Sequence, residues 1–205
     1  MLHHDLPLFL LQVFEFGCGV GAGLHRLRQT PGIGNVGGCD FAPAAVRGAQ
    51  AQFPADRANF FARDAALPFP EIAAGSFDHA CSFGAVAMYL TWPAMNSVLA
   101  ESVRMVKDGG TVWFTHLIEP GRYDKASILT AVAMDRWAPA VRAVGGGNLI
   151  VRYMRSVSDA AHKTVQQCRY FIVFTKGSDV STTILLYSTN GDSVDFRIPR
   201  SGFDL

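Results

Sequence analysis

The chain has no dominant charge. Its 205 residues carry 18 Lys and Arg against 17 Asp and Glu, a formal net charge of +1, with no long basic run. This balance gives no electrostatic reason to expect nucleic acid or an anionic membrane as a partner. Cysteine is scarce: Cys18, Cys39, Cys81 and Cys168 form no CxxC unit, and three of them fall at or in predicted buried strands. They read as reduced core thiols of a cytoplasmic type of protein, not as a disulfide frame or a zinc site. Long apolar runs are missing too. The stretch from Leu8 to Phe16 is too short to span a bilayer and follows an acidic start, so neither a membrane span nor a targeting signal is expected. No spacing suggests a metal, and a serine nucleophile elbow, a Gly-Lys phosphate loop and a Pro-Cys nucleophile are all lacking.

What is present is one domain's worth of chain, enough for a sheet covered on both faces. Its organising stretch is VFEFGCGVGAG, Val13 to Gly23, an apolar strand that opens into alternating glycines. Closely spaced glycines between a strand and a helix let a ligand approach the backbone, and the helix start offers free N–H groups. Two ligand classes use such a turn. A dinucleotide needs GxGxxG or GxGxxA for its pyrophosphate, and Gly17, Gly19 and Ala22 satisfy that pattern. Glu15, however, stands two residues before the first glycine, where an anion would be repelled and an ammonium welcomed.

EFGCGVG, Glu15 to Gly21, resembles the glycine-rich first motif of class I S-adenosylmethionine-dependent methyltransferases. The resemblance implies contacts from Glu15, Gly17, Cys18, Gly19 and Gly21 to a cofactor bearing an amino-acid group and a sulfonium but no phosphate. Asp40 ends the second predicted strand, about 20 residues beyond the turn, the distance at which an acidic side chain accepts ribose hydroxyls. The lesser alternative is that it caps the next helix. Phe41 is placed against an adenine face or in the core. After NFFA (Asn59 to Ala62), Asp64 with Ala65 resembles the position where a carboxylate and a backbone amide meet adenine; a loop aspartate holding its own turn is the alternative. LPFP from Leu67 and GSFDHACSFGAVAMYL from Gly75 continue the resemblance and are more specific than any glycine count. They look like the small-molecule branch of the family.

Ser82 and Phe83 close predicted strand 4, Phe77 to Phe83, and the resemblance gives them the methionine part of the cofactor. The histidine step found in many branches is replaced here by Ala87, Met88, Tyr89 and Leu90. A helix is expected from Thr91 to Lys107, with Met95, Leu99, Val103 and Val106 on one face, stopped by Asp108, Gly109 and Gly110. Strand 5 is Thr111 to Leu117. His116 and Glu119 lie at its carboxyl end, and His116 and Tyr89 are the candidate bases should the acceptor be a hydroxyl or thiol. Ile128, Val132, Trp137 and Val141 are spaced for a further helix. Asn148 to Arg155 and Gln167 to Thr175 read as strands 6 and 7, the last antiparallel. Asn190-Gly191 signals a hairpin in the tail.

The expected fold is therefore α/β, a Rossmann-like seven-stranded, mostly parallel sheet with helices on both faces, plus a C-terminal β-hairpin extension. Residues 1–176 form the methyltransferase-like domain and 177–205 the extension. The resemblance implies methyl transfer from S-adenosylmethionine to an acceptor, here a small molecule. The family's helices before strand 1 have no counterpart in Met1 to Pro7, so a homodimer or another partner could cover that open side. Two rivals remain: a methyltransferase-like module that binds cofactor or scaffolds without catalysis, and a nicotinamide oxidoreductase.

Overall fold

The computed structural model describes residues 10–118, 137–158, 165–177, 182–187 and 193–198. Residues 1–7, Glu119, Ile128, Val132 and the Asn190-Gly191 turn lie outside these. Among the described residues the strands form one nine-stranded sheet in the order β3-β2-β1-β4-β5-β7-β6-β8-β9.

β1 (Leu11–Phe16) is a strand because its apolar run is buried on both faces. Val13 points into one core cluster, with Leu24, Val36, Val46 and Phe53. Phe14 and Phe16 point into the other, with Phe69, Val98, Leu99 and Phe114. Glu15 shares the parity of Val13 and so faces the first cluster. α1 (Ala22–Arg28) and α2 (Pro43–Gln52) supply the helical side of that cluster. α4 (Trp92–Met105) and α5 (Ala138–Ala143) cover the opposite face. α3 (Val86–Tyr89) is a single turn after β4 (Phe77–Phe83).

β2 (Ile33–Asp40) and β4 flank β1, both parallel to it, and β3 (Phe60–Ala62) is the far edge. The strand order therefore reverses at β1, and the crevice between the carboxyl ends of β1 and β4 is where an open α/β sheet binds ligands. β7 (Val165–Lys176) runs antiparallel between β5 (Val106–Ile118) and β6 (Gly146–Ser158). β8 (Thr182–Tyr187) pairs parallel with β6, and β9 (Ser193–Ile198) antiparallel with β8.

The largest difference from the sequence expectation lies between α4 and β5. α4 stops at Met105, and β5 begins at Val106 instead of Thr111. The Asp108-Gly109-Gly110 turn survives as an irregularity inside the strand: Phe77 pairs with Val106 and His79 with Thr111, and Gly109 has φ 75°. Such an insertion re-aims a strand without ending its pairing.

A buried polar knot holds the loop after β3. Glu101 of α4 accepts from the Phe69 amide (2.8 Å) and pairs with Arg104 (2.6 Å), whose guanidinium donates to the Ile72 and Phe69 carbonyls. The hydrogen bond from Arg104 holds the Glu101 carboxyl below its ordinary range. Glu101→Ala leaves the buried Phe69 amide without its acceptor, so a loss of about 2 kcal/mol is expected in urea unfolding.

Candidate functional site

The glycine turn is tied to the end of β2. The Gly17 and Cys18 amides both donate to the Cys39 carbonyl, at 2.8 and 2.9 Å. The Gly19 amide donates to Asp40 Oδ2 at 2.9 Å, and the Ala42 amide to Asp40 Oδ1, also at 2.9 Å. Asp40 thus closes a turn just ahead of α2, whose N-cap Ala42 has no side-chain cap, and it also grips the glycine turn, while each oxygen keeps a further lone pair. A side chain fixed from two directions is preorganised to accept more donors.

The glycines serve different ends. Gly17 (φ 72°) is required by packing, because a Cβ there would lie 2.4 Å from the Ala85 Cβ. Gly19 (φ 54°) faces open space, with nothing within 4 Å of where a Cβ would be. The cradle is therefore open at Gly19 and closed at Gly17 by the loop after β4. Ala85 is the residue the sequence does not single out, although Gly84 (φ 74°), directly after the strand, is the visible signal of that tight turn.

Glu15 is only 3% exposed. Its Oε2 is buried without a hydrogen-bond partner. The carboxyl lies beneath the first turn of α1: a Cβ on Gly23 would sit 3.2 and 3.3 Å from its two oxygens and 3.0 Å from the Phe83 ring. Burial pushes the Glu15 carboxyl up to about 8; the Phe83 backbone amide opposes the shift and the Asp40 charge adds to it. The sequence reading treats Glu15 as a standing anion, and this environment makes it a neutral acid near pH 7. Burial likewise raises the Cys18, Cys39 and Cys81 thiols, which are free and inert.

Ser82 is fully buried and accepts from the Val86 amide at 3.2 Å, fixing the turn into α3. Phe83 is 36% exposed and packs edge-on against Trp113 at 4.7 Å. Phe41 is 83% exposed, so it is not core. Tyr89, at 80%, is not core either. Asp64 is exposed, and its Oδ1 accepts from the Ala66 amide at 2.9 Å, the turn-holding role. Ala65 packs against the main core. His116 stands in β5 opposite Tyr170 of β7. Glu15, Gly17, Cys18, Gly19, Asp40, Ser82 and Phe83 are thus linked around one crevice. Gly21 (φ 82°) donates back to the Cys18 carbonyl and opens α1. Among the described residues no three His, Cys, Asp or Glu side chains gather to hold a metal, and no helix is long and apolar enough to cross a membrane.

Sheet order, glycine turn and strand-end carboxylate define a Rossmann-like fold of the class I methyltransferase type. Residues 13–110 match the model of a methyltransferase domain family. No curated protein matches the chain. Among solved structures it is similar to a chain of the complex between the Haloferax volcanii Trm112 methyltransferase activator and a methyltransferase, with 20% identity, 85% of this chain and 86% of that one covered, and a TM-score of 0.60. A Methanosarcina mazei S-adenosylmethionine-dependent methyltransferase gives 12% identity, coverage of 83% and 94%, and a TM-score of 0.61. Haemonchus contortus phosphoethanolamine N-methyltransferase 2, solved with S-adenosyl-L-methionine, gives 14%, 82% and 49%, and 0.60. At these identities the likeness is one of fold.

Proposed function

We propose that the protein binds S-adenosylmethionine in this crevice and transfers its methyl group to a small-molecule acceptor. The observation that carries the reading is Asp40, held by the Gly19 and Ala42 amides beside the open Gly19 cradle, with an exposed aromatic ring next in sequence. The unpartnered Oε2 of Glu15 fits the same ligand, since an ammonium would bring the charge that satisfies the ionised carboxyl, which a phosphate would repel.

S-adenosylmethionine supplies, when bound, a methyl group on a sulfonium that is already a good leaving group. The chain's residues then need to bind, orient and exclude water more than to do covalent chemistry. Asp40 would accept from the ribose hydroxyls and Phe41 lie on the adenine. Asp64 and the Ala65 amide would meet the adenine edge, Glu15 the amino group, and Ser82 and Phe83 the methionine end. Tyr89, exposed on the rim beyond β4, is our candidate for taking a proton from a hydroxyl or thiol acceptor, with His116 the second. A partner, or a second copy of the chain, would cover the side of the sheet that no described helix reaches beyond β1, where Trp113 is only partly buried. A cytoplasmic location suits the free thiols.

Calorimetry with S-adenosylhomocysteine, followed by transfer of labelled methyl from S-adenosylmethionine to metabolite extracts, tests the reading. Micromolar binding and a labelled small product are expected. Binding without transfer would favour a silent cofactor-binding module, and Trp quenching by NADH without S-adenosylhomocysteine binding an oxidoreductase. Phe41→Ala separates ligand contact from folding. Because the ring touches little of the protein, stability should stay within about 0.5 kcal/mol, while affinity for S-adenosylhomocysteine should fall about three- to tenfold.

A further inference from the structure

We propose that Glu15 exchanges a proton for the ligand's ammonium: a neutral carboxylic acid in the free protein, it releases its proton to solvent when the amino-acid end of the nucleoside arrives. The inference rests on the ligand assignment above and adds to it a linkage between cofactor affinity and pH.

The geometry leaves Glu15 no other way to be comfortable. Its Oε2 has no hydrogen-bond partner and almost no solvent. Among the described residues no cationic side chain acts on it, and only the Phe83 amide and the N-terminal end of α1 offer partial positive charge. The glycine turn contributes Cys18, β2 contributes Cys39 and Asp40, and β4 contributes Cys81 and the Phe83 amide. α1 presents Gly23 to the carboxyl, while its His25 and Arg26 are exposed and its Arg28 pairs with Asp56. The thiols are neutral, so Asp40 is the charge nearest in effect, and it is of the wrong sign. An ionised Glu15 would be desolvated, lacking a cation and repelled by its neighbour.

An arriving ammonium changes each of these conditions. It brings the missing positive charge and a donor for Oε2, either directly or through one water. In a crevice poor in water such a pair is strong, and the carboxyl then holds its negative charge at neutral pH. The balance is simple: Glu15–COOH and R–NH3+ give the Glu15 carboxylate paired with R–NH3+, and one proton goes to the buffer. A nucleoside without the amino-acid end leaves the proton in place.

Titration of S-adenosylhomocysteine at pH 7 in phosphate and in Tris, whose ionisation enthalpies differ, counts that proton. Close to one proton released per ligand is expected for the unaltered protein. Release close to zero is expected with 5′-methylthioadenosine, and with S-adenosylhomocysteine on the Glu15→Gln variant. Between pH 5.5 and 7.5 the affinity for S-adenosylhomocysteine should rise by up to about tenfold per pH unit, and that for 5′-methylthioadenosine should stay flat. Tight S-adenosylhomocysteine binding with no proton released overturns the exchange and leaves the ligand assignment standing. Equal release by the Gln variant gives the proton to the ligand's amine and also overturns it. Failure of both nucleosides to bind overturns the ligand assignment and the exchange together. The methylthioadenosine comparison uses the unaltered protein, so it decides the matter even if the variant does not fold.

Discussion

Asp40→Ala is expected to weaken S-adenosylhomocysteine binding by about 100-fold or more, the loss of two hydrogen bonds to a charged acceptor at ~1.5 kcal/mol each. The same change releases the Gly19 and Ala42 amides, both held at 2.9 Å. The glycine turn then loses its tie to β2, and α2 loses the side-chain acceptor at its entry. Both bonds are only partly buried, so about 1–2 kcal/mol of stability should go with them, a fall in Tm of a few degrees. Asp40→Asn should lie between the two, since its amide group has one acceptor oxygen where two were used. Calorimetry beside thermal unfolding checks the pair. An alanine variant that unfolds earlier yet binds within threefold of the parent would make Asp40 a turn-holding residue and nothing more.

Glu15→Gln should stabilise the free protein at alkaline pH. In the unfolded chain the carboxyl ionises near 4.5, while in the folded protein it keeps its proton up to about 8. Between those values the unfolded state is the one that has released the proton, so each rise in pH favours unfolding. The effect is small below pH 4.5 and grows through the interval, on the order of 1.4 kcal/mol per pH unit. Glutamine is nearly isosteric with the neutral acid and has no proton to lose. The variant and the parent should therefore be alike near pH 4.5, and by pH 8 the variant should be more stable by roughly 3–5 kcal/mol. Urea unfolding at pH 5, 6.5 and 8 makes the comparison. Parallel pH profiles would show that Glu15 is ionised throughout and that its burial is relieved in some other way.

Much of the fold was legible because glycine, proline and apolar runs punctuate it. β1, α2 and β4 fall where the Leu-rich run, Pro43 and the Ser-Phe-Asp phrase put them. β2 was harder. It starts at Ile33 and is rich in glycine for reasons propensity does not contain. A Cβ on Gly34 would meet Leu10 at 2.5 Å, one on Gly37 the Asn59 carbonyl at 2.8 Å, and one on Gly38 the Glu15 carbonyl at 2.8 Å. Those glycines answer to neighbours distant in sequence. The start of β5 was misplaced because a glycine pair inside a strand looks the same as one that ends a helix.

The site shows the same division. Residue types and spacing were enough to select Glu15, the glycines and Asp40. They could not give the protonation of Glu15, which depends on α1 and Phe83 closing over it. Nor could they show that Asp40 would hold both its own turn and the glycine turn, since the second role needs Gly19 brought beside β2. At Asp64 the turn-holding bond from the Ala66 amide is the local role that the sequence already contained.

A crystal structure of the protein with S-adenosylhomocysteine tests the central claim most directly. It should show the ribose hydroxyls on Asp40, the adenine against Phe41, and the ligand's amino group beside Glu15. A nucleoside bound elsewhere, or a ligand whose phosphate rests on the Gly17–Gly21 turn, would contradict it.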